Sequence, residues 1–341
     1  MFKLKKFLRE HWVKIAFLLL GILFGWILFK NPLPSLITGN SGQTRNSLGY
    51  SFINPLIECD NNGSDTVEKY IPFEAETKKK IQDEIIAPNP GVDIAFYFRN
   101  LNNGPWFGIN ANDQFAPASL LKVPIMMAFL KESESNPSIL NKTVLYEKSV
   151  EGNLVSQNTI INKPLEVGKS YSVEELIKTM IDDSNNEALF LLGNNISTET
   201  VDQVYRDLGI TIPDIRGPSD YISVKDYASF FRILYNASYL EKATSEKALQ
   251  ILSGSEFHDG LEAGIPKGLK NAHKFGERQI VNADGSTVKQ LHDCGIIYYE
   301  KYPYLLCIMT KGNTTTTTTT LSDIIKNISK IIYSEISSKY P

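Results

Sequence analysis

Ala118-Ser119-Leu120-Leu121-Lys122-Val123-Pro124 opens an apolar stretch that continues to Leu130. Residues apolar almost all round predict a helix buried in the middle of a domain. A spacing of three puts Ser119 and Lys122 on the same helix face, one turn apart. At a helix N-terminus the serine hydroxyl meets backbone N–H groups and the positive end of the dipole, both of which stabilise negative charge. A lysine surrounded by Leu, Val, Ile and Met loses hydration, so its pKa falls and it can take a proton from the serine. Taken alone, Ser119 reads equally well as an ordinary helix cap. A second Ser-x-x-Lys, Ser286-Thr287-Val288-Lys289, follows a polar Asn-Ala-Asp-Gly turn that offers its lysine no desolvation, and it reads as accidental.

Working outward, Phe73 to Ile86 has the pattern of an amphipathic helix ended by Pro88 and Pro90. Val92–Phe98 and Asn102–Gly108 read as a hairpin. Helical stretches are expected at Ser172–Leu192, Thr198–Leu208, Val224–Tyr235 and Glu246–Leu252. Strands follow at Gln290–Tyr299 and Tyr304–Thr310, with a last helix at Leu321–Ser337. Strands at both ends and helices between them predict one sheet closed by distant parts of the chain, with a helical insert. The Thr314–Thr320 run, lodged between strand and helix, reads as a surface loop rather than a mucin-like tract.

The 341 residues carry a net charge of −3, with 42% hydrophobic and 11% aromatic content, which excludes a disordered or collagenous chain. The charge is unevenly spread. Residues 1–30 hold Lys3, Lys5, Lys6, Arg9, Lys14 and Lys30 against Glu10, a balance of +5, which leaves −8 on the rest. An acidic body argues against nucleic acid as a partner. The basic flank precedes the apolar run Ile15–Phe29, which reaches spanning length once Trp12 and Val13 are added and the bracketing lysines snorkel. No small-residue cleavage box follows, so an uncleaved signal-anchor is expected, with everything after Lys30 outside the cell membrane. The expected organisation is therefore a basic cytoplasmic tail (1–12), a transmembrane segment (13–29), an extracytoplasmic stalk (30–66) and one catalytic domain (67–341). Phe52-Ile53-Asn54-Pro55-Leu56-Ile57 is more apolar than a free linker needs, which predicts that part of the stalk docks on the body. Cys59, Cys294 and Cys307 show no metal-ligand spacing. If their segments pair, Cys294 and Cys307 face each other, either as a disulfide or as two buried thiols.

Two further phrases bear on chemistry. Asp183-Ser184-Asn185-Asn186-Glu187-Ala188 lies at a helix junction and offers a hydroxyl to relay a proton and an amide to hold a substrate carbonyl; its plainer reading is an N-cap with polar turn residues. His273-Lys274-Phe275-Gly276-Glu277 sets a lysine beside a glycine, which on a strand permits close substrate approach and supplies a cation for a carboxylate.

In this order the three phrases resemble the penicillin-recognising serine hydrolases, specifically the class A β-lactamase-like family, whose motifs are Ser-x-x-Lys, Ser-x-Asn and Lys-Thr-Gly. The resemblance covers roughly Glu68 to Ser337. It implies an α+β fold of the β-lactamase/transpeptidase type, an antiparallel sheet flanked by helices (an α-β-α sandwich) with an all-helical subdomain. It also implies Ser119 as the acyl-accepting nucleophile, Lys122 as its proton acceptor, Ser184 and Asn186 as the Ser-x-Asn pair, and Lys274 facing Ser184. The oxyanion hole would be the backbone N–H groups of Ser119 and Glu277. A β-lactam or a peptidoglycan stem is the implied substrate. No cofactor or metal is expected, since the chain has no His cluster and no Gly-rich phosphate loop.

The sequence departs from the family pattern twice. Phe275 stands where the motif has Thr, removing a hydroxyl that would bind the substrate carboxylate, a task that Arg278 is placed to take over. Class A enzymes also carry a Glu-x-x-Leu-Asn loop whose Glu activates the deacylating water. Here the stretch from Gly209 to Ser223 is short, contains no Glu, and holds only Asp214 and Asp220 as carboxylates. Glu166 precedes Ser184 and is not the missing residue. Three functions fit: a tethered β-lactam hydrolase with slow deacylation, a D-Ala-D-Ala peptidase or transpeptidase, and a non-catalytic binder of β-lactams or wall fragments.

Overall fold

The computed structural model describes residues 49–54, 70–147, 164–214, 219–282, 284–300 and 302–341. The tail, the transmembrane segment and most of the stalk expected at 1–66 lie outside these. Among the described residues no helix is long and apolar enough to cross a membrane.

Five strands form the frame: Val92–Asn100 (β1), Trp106–Ile109 (β2), Asn271–Val281 (β7), Thr287–Ile297 (β8) and Tyr304–Gly312 (β9). They pair antiparallel in the order β2-β1-β9-β8-β7, so the first hairpin joins the last strand and β7 is left at an edge. Strand alternation sends successive side chains to opposite faces. Ala95, Tyr97, Cys294, Cys307 and Met309 enter one core, while Phe96, Phe98, Leu306 and Ile308 enter the other. Both faces are therefore covered by helices, and the central stretches of β1 and β9 read as near-continuous apolar runs. Helices Glu74–Ile81 (α1) and Thr318–Lys339 (α8) cover the second face. In α8, Leu321, Ile325, Ile328 and Ile332 recur at helical spacing and are fully buried.

The other face receives the helical region: Lys122–Ser135 (α2), Val173–Asp182 (α3), Asn186–Gly193 (α4), Thr198–Leu208 (α5), Val224–Asn236 (α6) and Lys242–Leu252 (α7). The expected antiparallel sheet with flanking helices and a helical subdomain is what the chain adopts. The helical stretch read from Ser172 to Leu192, with a junction at Asp183–Ala188, is two helices. Ser172 starts α3 with a capping box closed by Glu175, Ser184 takes a left-handed conformation (φ 50°), and Asn185 caps α4. The threonine run is not one loop. Thr316 bonds to Asn313, Thr317 caps α8, and Thr318–Thr320 form its first turn.

Cys294 and Cys307 are cross-strand neighbours, fully buried and joined as a disulfide, with Cα atoms 3.9 Å apart. The expected docking of the stalk is present at Ser51–Asn54. Glu246 accepts the N–H groups of Ser51, Phe52 and Ile53 at 2.7, 2.9 and 3.0 Å, and Ile53 is 2% exposed. Lys270 lies over the rings of Phe52 and Tyr298. Pro55–Ile57 lies outside the described residues.

Candidate active site

Apart from the main sheet, Thr143–Leu145 (β4) pairs with Ser170–Ser172 (β5), and the two-residue strands Gln114–Phe115 (β3) and Ile222–Ser223 (β6) pair where the chain leads into the turn that carries the serine. Ala118–Leu121 is a 3-10 turn, and α2 begins only at Lys122. The buried helix expected from Ala118 is thus tightened at its start. Ala118 has φ 51°, a left-handed conformation that strains a residue with a Cβ and turns the chain sharply just before Ser119. Edge strand β7 lies directly under this turn. A Cβ at Gly276 would stand 2.8 Å from the Pro117 carbonyl oxygen and 3.1 Å from Leu120 N, so only glycine allows the approach.

Lys122 is fully buried, and its ammonium donates to Ser184 O at 2.5 Å, Ser184 Oγ at 3.0 Å and Asn186 Oδ1 at 2.8 Å. The α3–α4 junction thereby meets the serine helix across 62 residues of chain. Burial, reinforced by the charge of Lys274, holds Lys122 well below the ordinary lysine pKa. Ser119 and Ser184 are 8% and 1% exposed.

Lys274 is also fully buried, and its Nζ has no hydrogen-bond partner among the described residues. Desolvation pulls its pKa down to about 7, against the opposing charges of Asp293 and Asp182. Register pairs Lys274 with Cys294 and Gly276 with His292, so by alternation Lys274, Gly276 and Arg278 share the face that holds the serine turn. Phe275 belongs to the opposite face, where it stacks on Phe257 with centroids 4.3 Å apart, while Lys274 Nζ lies 4.1 Å from the centre of its ring. The residue at the motif's Thr position is therefore a core side chain. Half-buried Arg278 extends the cationic row of Lys274.

A pH dependence follows. Because its pKa is depressed, Lys274 holds its proton only up to about pH 7. Second-order acylation by an anionic penicillin is expected to decline as pH rises from 7 to 9, and Lys274→Gln to remove that alkaline limb. A rate flat to pH 9 in the wild-type chain contradicts this.

The two loop carboxylates are placed differently. Asp214 is exposed at the loop's start. Asp220 accepts from Lys311 Nζ at 2.7 Å and from Gln290 Nε2 at 3.1 Å. Burial opposes its ionisation, but these hydrogen bonds and the Lys311 charge outweigh it and lower its pKa. The structure ties Asp220 to the sheet. Glu166 is exposed beside Lys169, remote in role from the serine. In the second Ser-x-x-Lys, Ser286 bonds Asp284 within a local turn, and Lys289 donates to Thr316 O just before α8, so the two side chains serve separate structural contacts. Sequence reading assigned no role to Gln290, His292 or Tyr227, all of which touch the serine turn. The signal was available for two of them, as Gln290 and His292 are polar residues two apart on a face of β8 whose other side chains, Val288, Cys294 and Ile296, are apolar.

An antiparallel sheet clad in helices, with a serine turn and a buried lysine where the helical region meets the edge strand, is the architecture of a penicillin-recognising serine hydrolase. The chain belongs to the beta-lactamase enzyme family, whose model matches residues 76–336. Among solved structures it is similar to the TLA-3 extended-spectrum beta-lactamase (17% identity, TM-score 0.67, covering 77% of this chain and 99% of that one). It is likewise similar to a mutant of PBP-A in acyl-enzyme complex with penicillin G (20%, TM-score 0.64, 77% and 97%). A third match is a beta-lactamase from Sphaerobacter thermophilus (15%, TM-score 0.63, 80% and 100%). At these identities the likeness is one of fold. No curated protein matches the chain.

Proposed function

We propose that the protein is a β-lactamase-like serine hydrolase that opens β-lactam amides through an acyl-enzyme, acting outside a membrane to which its N-terminal segment tethers it. The observation that carries the reading is the Lys122 amine nitrogen, desolvated and held against both Ser184 and Asn186. Neutral Lys122 takes the Ser119 hydroxyl proton as Oγ attacks the lactam carbonyl. Negative charge gathers on the carbonyl oxygen, facing the backbone N–H groups of Ser119 and Glu277; each such donor contributes roughly 3 kcal/mol. When the C–N bond breaks, Ser184 Oγ passes a proton to the leaving nitrogen and is reprotonated from Lys122. Lys274 and Arg278 hold the substrate carboxylate, and Asn186 its amide side chain. The tether rests on the +5 charge of residues 1–30 and the apolar run Ile15–Phe29.

A second reading, a peptidase acting on D-Ala-D-Ala stems, is favoured by one observation. The loop holds no Glu, and Asp220, one of its two carboxylates, is engaged by Lys311 and Gln290. Both readings share the acyl-enzyme, so the test is to incubate the full-length chain with a fluorescent penicillin and map the adduct by mass spectrometry. The adduct is expected on the peptide containing Ser119; labelling elsewhere, or none, overturns both. Hydrolysis of nitrocefin against that of a D-Ala-D-Ala peptide then separates them.

A further inference from the structure

Two side chains of β8 that take no part in this chemistry grip the peptide that delivers the nucleophile. Ala116 lies three residues before Ser119. Gln290 Oε1 accepts its N–H at 3.2 Å, and His292 Nε2 lies 2.8 Å from its carbonyl oxygen. Thr310 N–H donates to His292 Nδ1 at 3.2 Å, so Nδ1 is the acceptor and the ring proton sits on Nε2, donating to Ala116 O. The ring is fully buried and meets Phe115 edge to face, 5.8 Å between centroids. Gln290 is itself held by Asp220, which Lys311 anchors. On the far side of the turn, Tyr227 Oη donates to Leu120 O at 3.0 Å.

The turn is thus fastened at Ala116 and at Leu120, with Gly276 beneath it, and the left-handed Ala118 lies between the fastenings. A strained residue keeps such a conformation only where its surroundings over-determine it. We propose that His292 is a positioning residue for the nucleophile: as a neutral imidazole donating to Ala116 O, it holds the strained approach to Ser119 and so sets the rate of acylation without touching substrate. Burial pushes the His292 pKa down to about 4, which keeps the ring in this neutral donor form at neutral pH. The proposal also gives Asp220 a task in place of water activation, namely to orient the amide that holds the other side of the same peptide. It rests on the acyl-transfer reading of Ser119.

The test compares three full-length chains, wild type, His292→Phe and His292→Gln, by the rate of fluorescent-penicillin uptake over a range of concentrations, normalised to folded protein from thermal melts. His292→Phe keeps the ring packing but loses the donor. A displacement of the order of 1 Å at a reacting group slows chemistry by up to about a hundredfold, so a drop of about 10- to 100-fold in the maximal acylation rate is expected. The half-saturating concentration should stay within about twofold, since nothing that touches substrate has changed. His292→Gln, whose amide N–H reaches close to the Nε2 position, should recover most of the rate. A His292→Phe chain that acylates at the wild-type maximal rate, a loss seen only in the half-saturating concentration, or a His292→Gln chain as slow as His292→Phe each overturns the proposal. If His292→Phe does not fold, His292→Asn replaces it: that side chain meets Thr310 N–H but falls short of Ala116 O, and a rate equal to that of His292→Gln overturns the role. A wild-type chain that takes up no penicillin refutes the acyl-transfer reading instead. The same chains then report on the positioning of Ser119 through its reaction with a serine-directed fluorophosphonate, where equal rates overturn the proposal.

Discussion

A Ser119→Ala chain should take up no covalent penicillin, and Lys122→Met should acylate about 10²–10⁴-fold more slowly than wild type, the usual contribution of a positioned proton acceptor. The two variants probe different links of one argument. Removing the Ser119 hydroxyl deletes the atom that carries the acyl group in the proposed mechanism, so the expected loss is complete. Removing the Lys122 amine leaves the nucleophile in its turn but strips away the group that accepts its proton. Methionine fills the buried space of the lysine stem, although Ser184 and Asn186 each lose a donor. A thermal melt therefore accompanies the rate. Both variants are expected to fold, because the serine turn is also held by Tyr227 and by β8. Residual labelling of Ser119→Ala places the nucleophile elsewhere. A Lys122→Met chain that acylates at wild-type speed assigns the proton to another base.

Nitrocefin should give a burst of colour close to one equivalent of enzyme, followed by a steady phase about 10²–10⁴-fold slower, the deficit expected where no base is positioned for the second step. Acylation and deacylation need bases on opposite sides of the ester carbonyl. In the proposed mechanism Lys122 serves the first. For the second, the loop from Gly209 to Ser223 has only its two aspartates to offer. Asp220 already accepts two hydrogen bonds from the sheet, and its lowered pKa makes it a poorer base. Asp214→Asn should leave the slow phase unchanged. Rapid hydrolysis without a burst, or a steady phase that falls further in Asp214→Asn, would show a working deacylation base and overturn the expectation. Slow release also suits a peptidase, whose acyl-enzyme is opened by its own substrates more readily than by water trapped behind a β-lactam product.

Much of this was legible along the chain because it is local. Apolar periodicity marked α5 and α6 to within a residue and located α2 with its ends displaced by four or five residues, and Pro88 and Pro90 closed the first helix region where steric clash forbids its continuation. The junction between α3 and α4 was legible from the cap and turn residues Asp183 to Asn186, but not how it is made, with Ser184 left-handed and Asn185 capping α4. Strand β7 was visible only through its lysine and glycine, since His273 to Arg278 mixes charged and aromatic residues on an edge that one face of the sheet uses for chemistry and the other for packing.

By itself the sequence determined the spacing of Ser119 and Lys122, the order of the three phrases, the absence of a glutamate between Gly209 and Ser223, and the charge contrast between the first 30 residues and the rest. Those are properties of neighbours in a chain, and helix geometry or simple counting converts them into expectations. Only the tertiary structure decided that Lys122 meets Ser184 and Asn186, that Phe275 turns into the core, that Asp220 is consumed by Lys311 and Gln290, and that His292 holds Ala116. Each depends on strand register and on which groups lose water together. Desolvation and hydrogen-bond partnership are set by residues far apart in the chain, and no local pattern carries them.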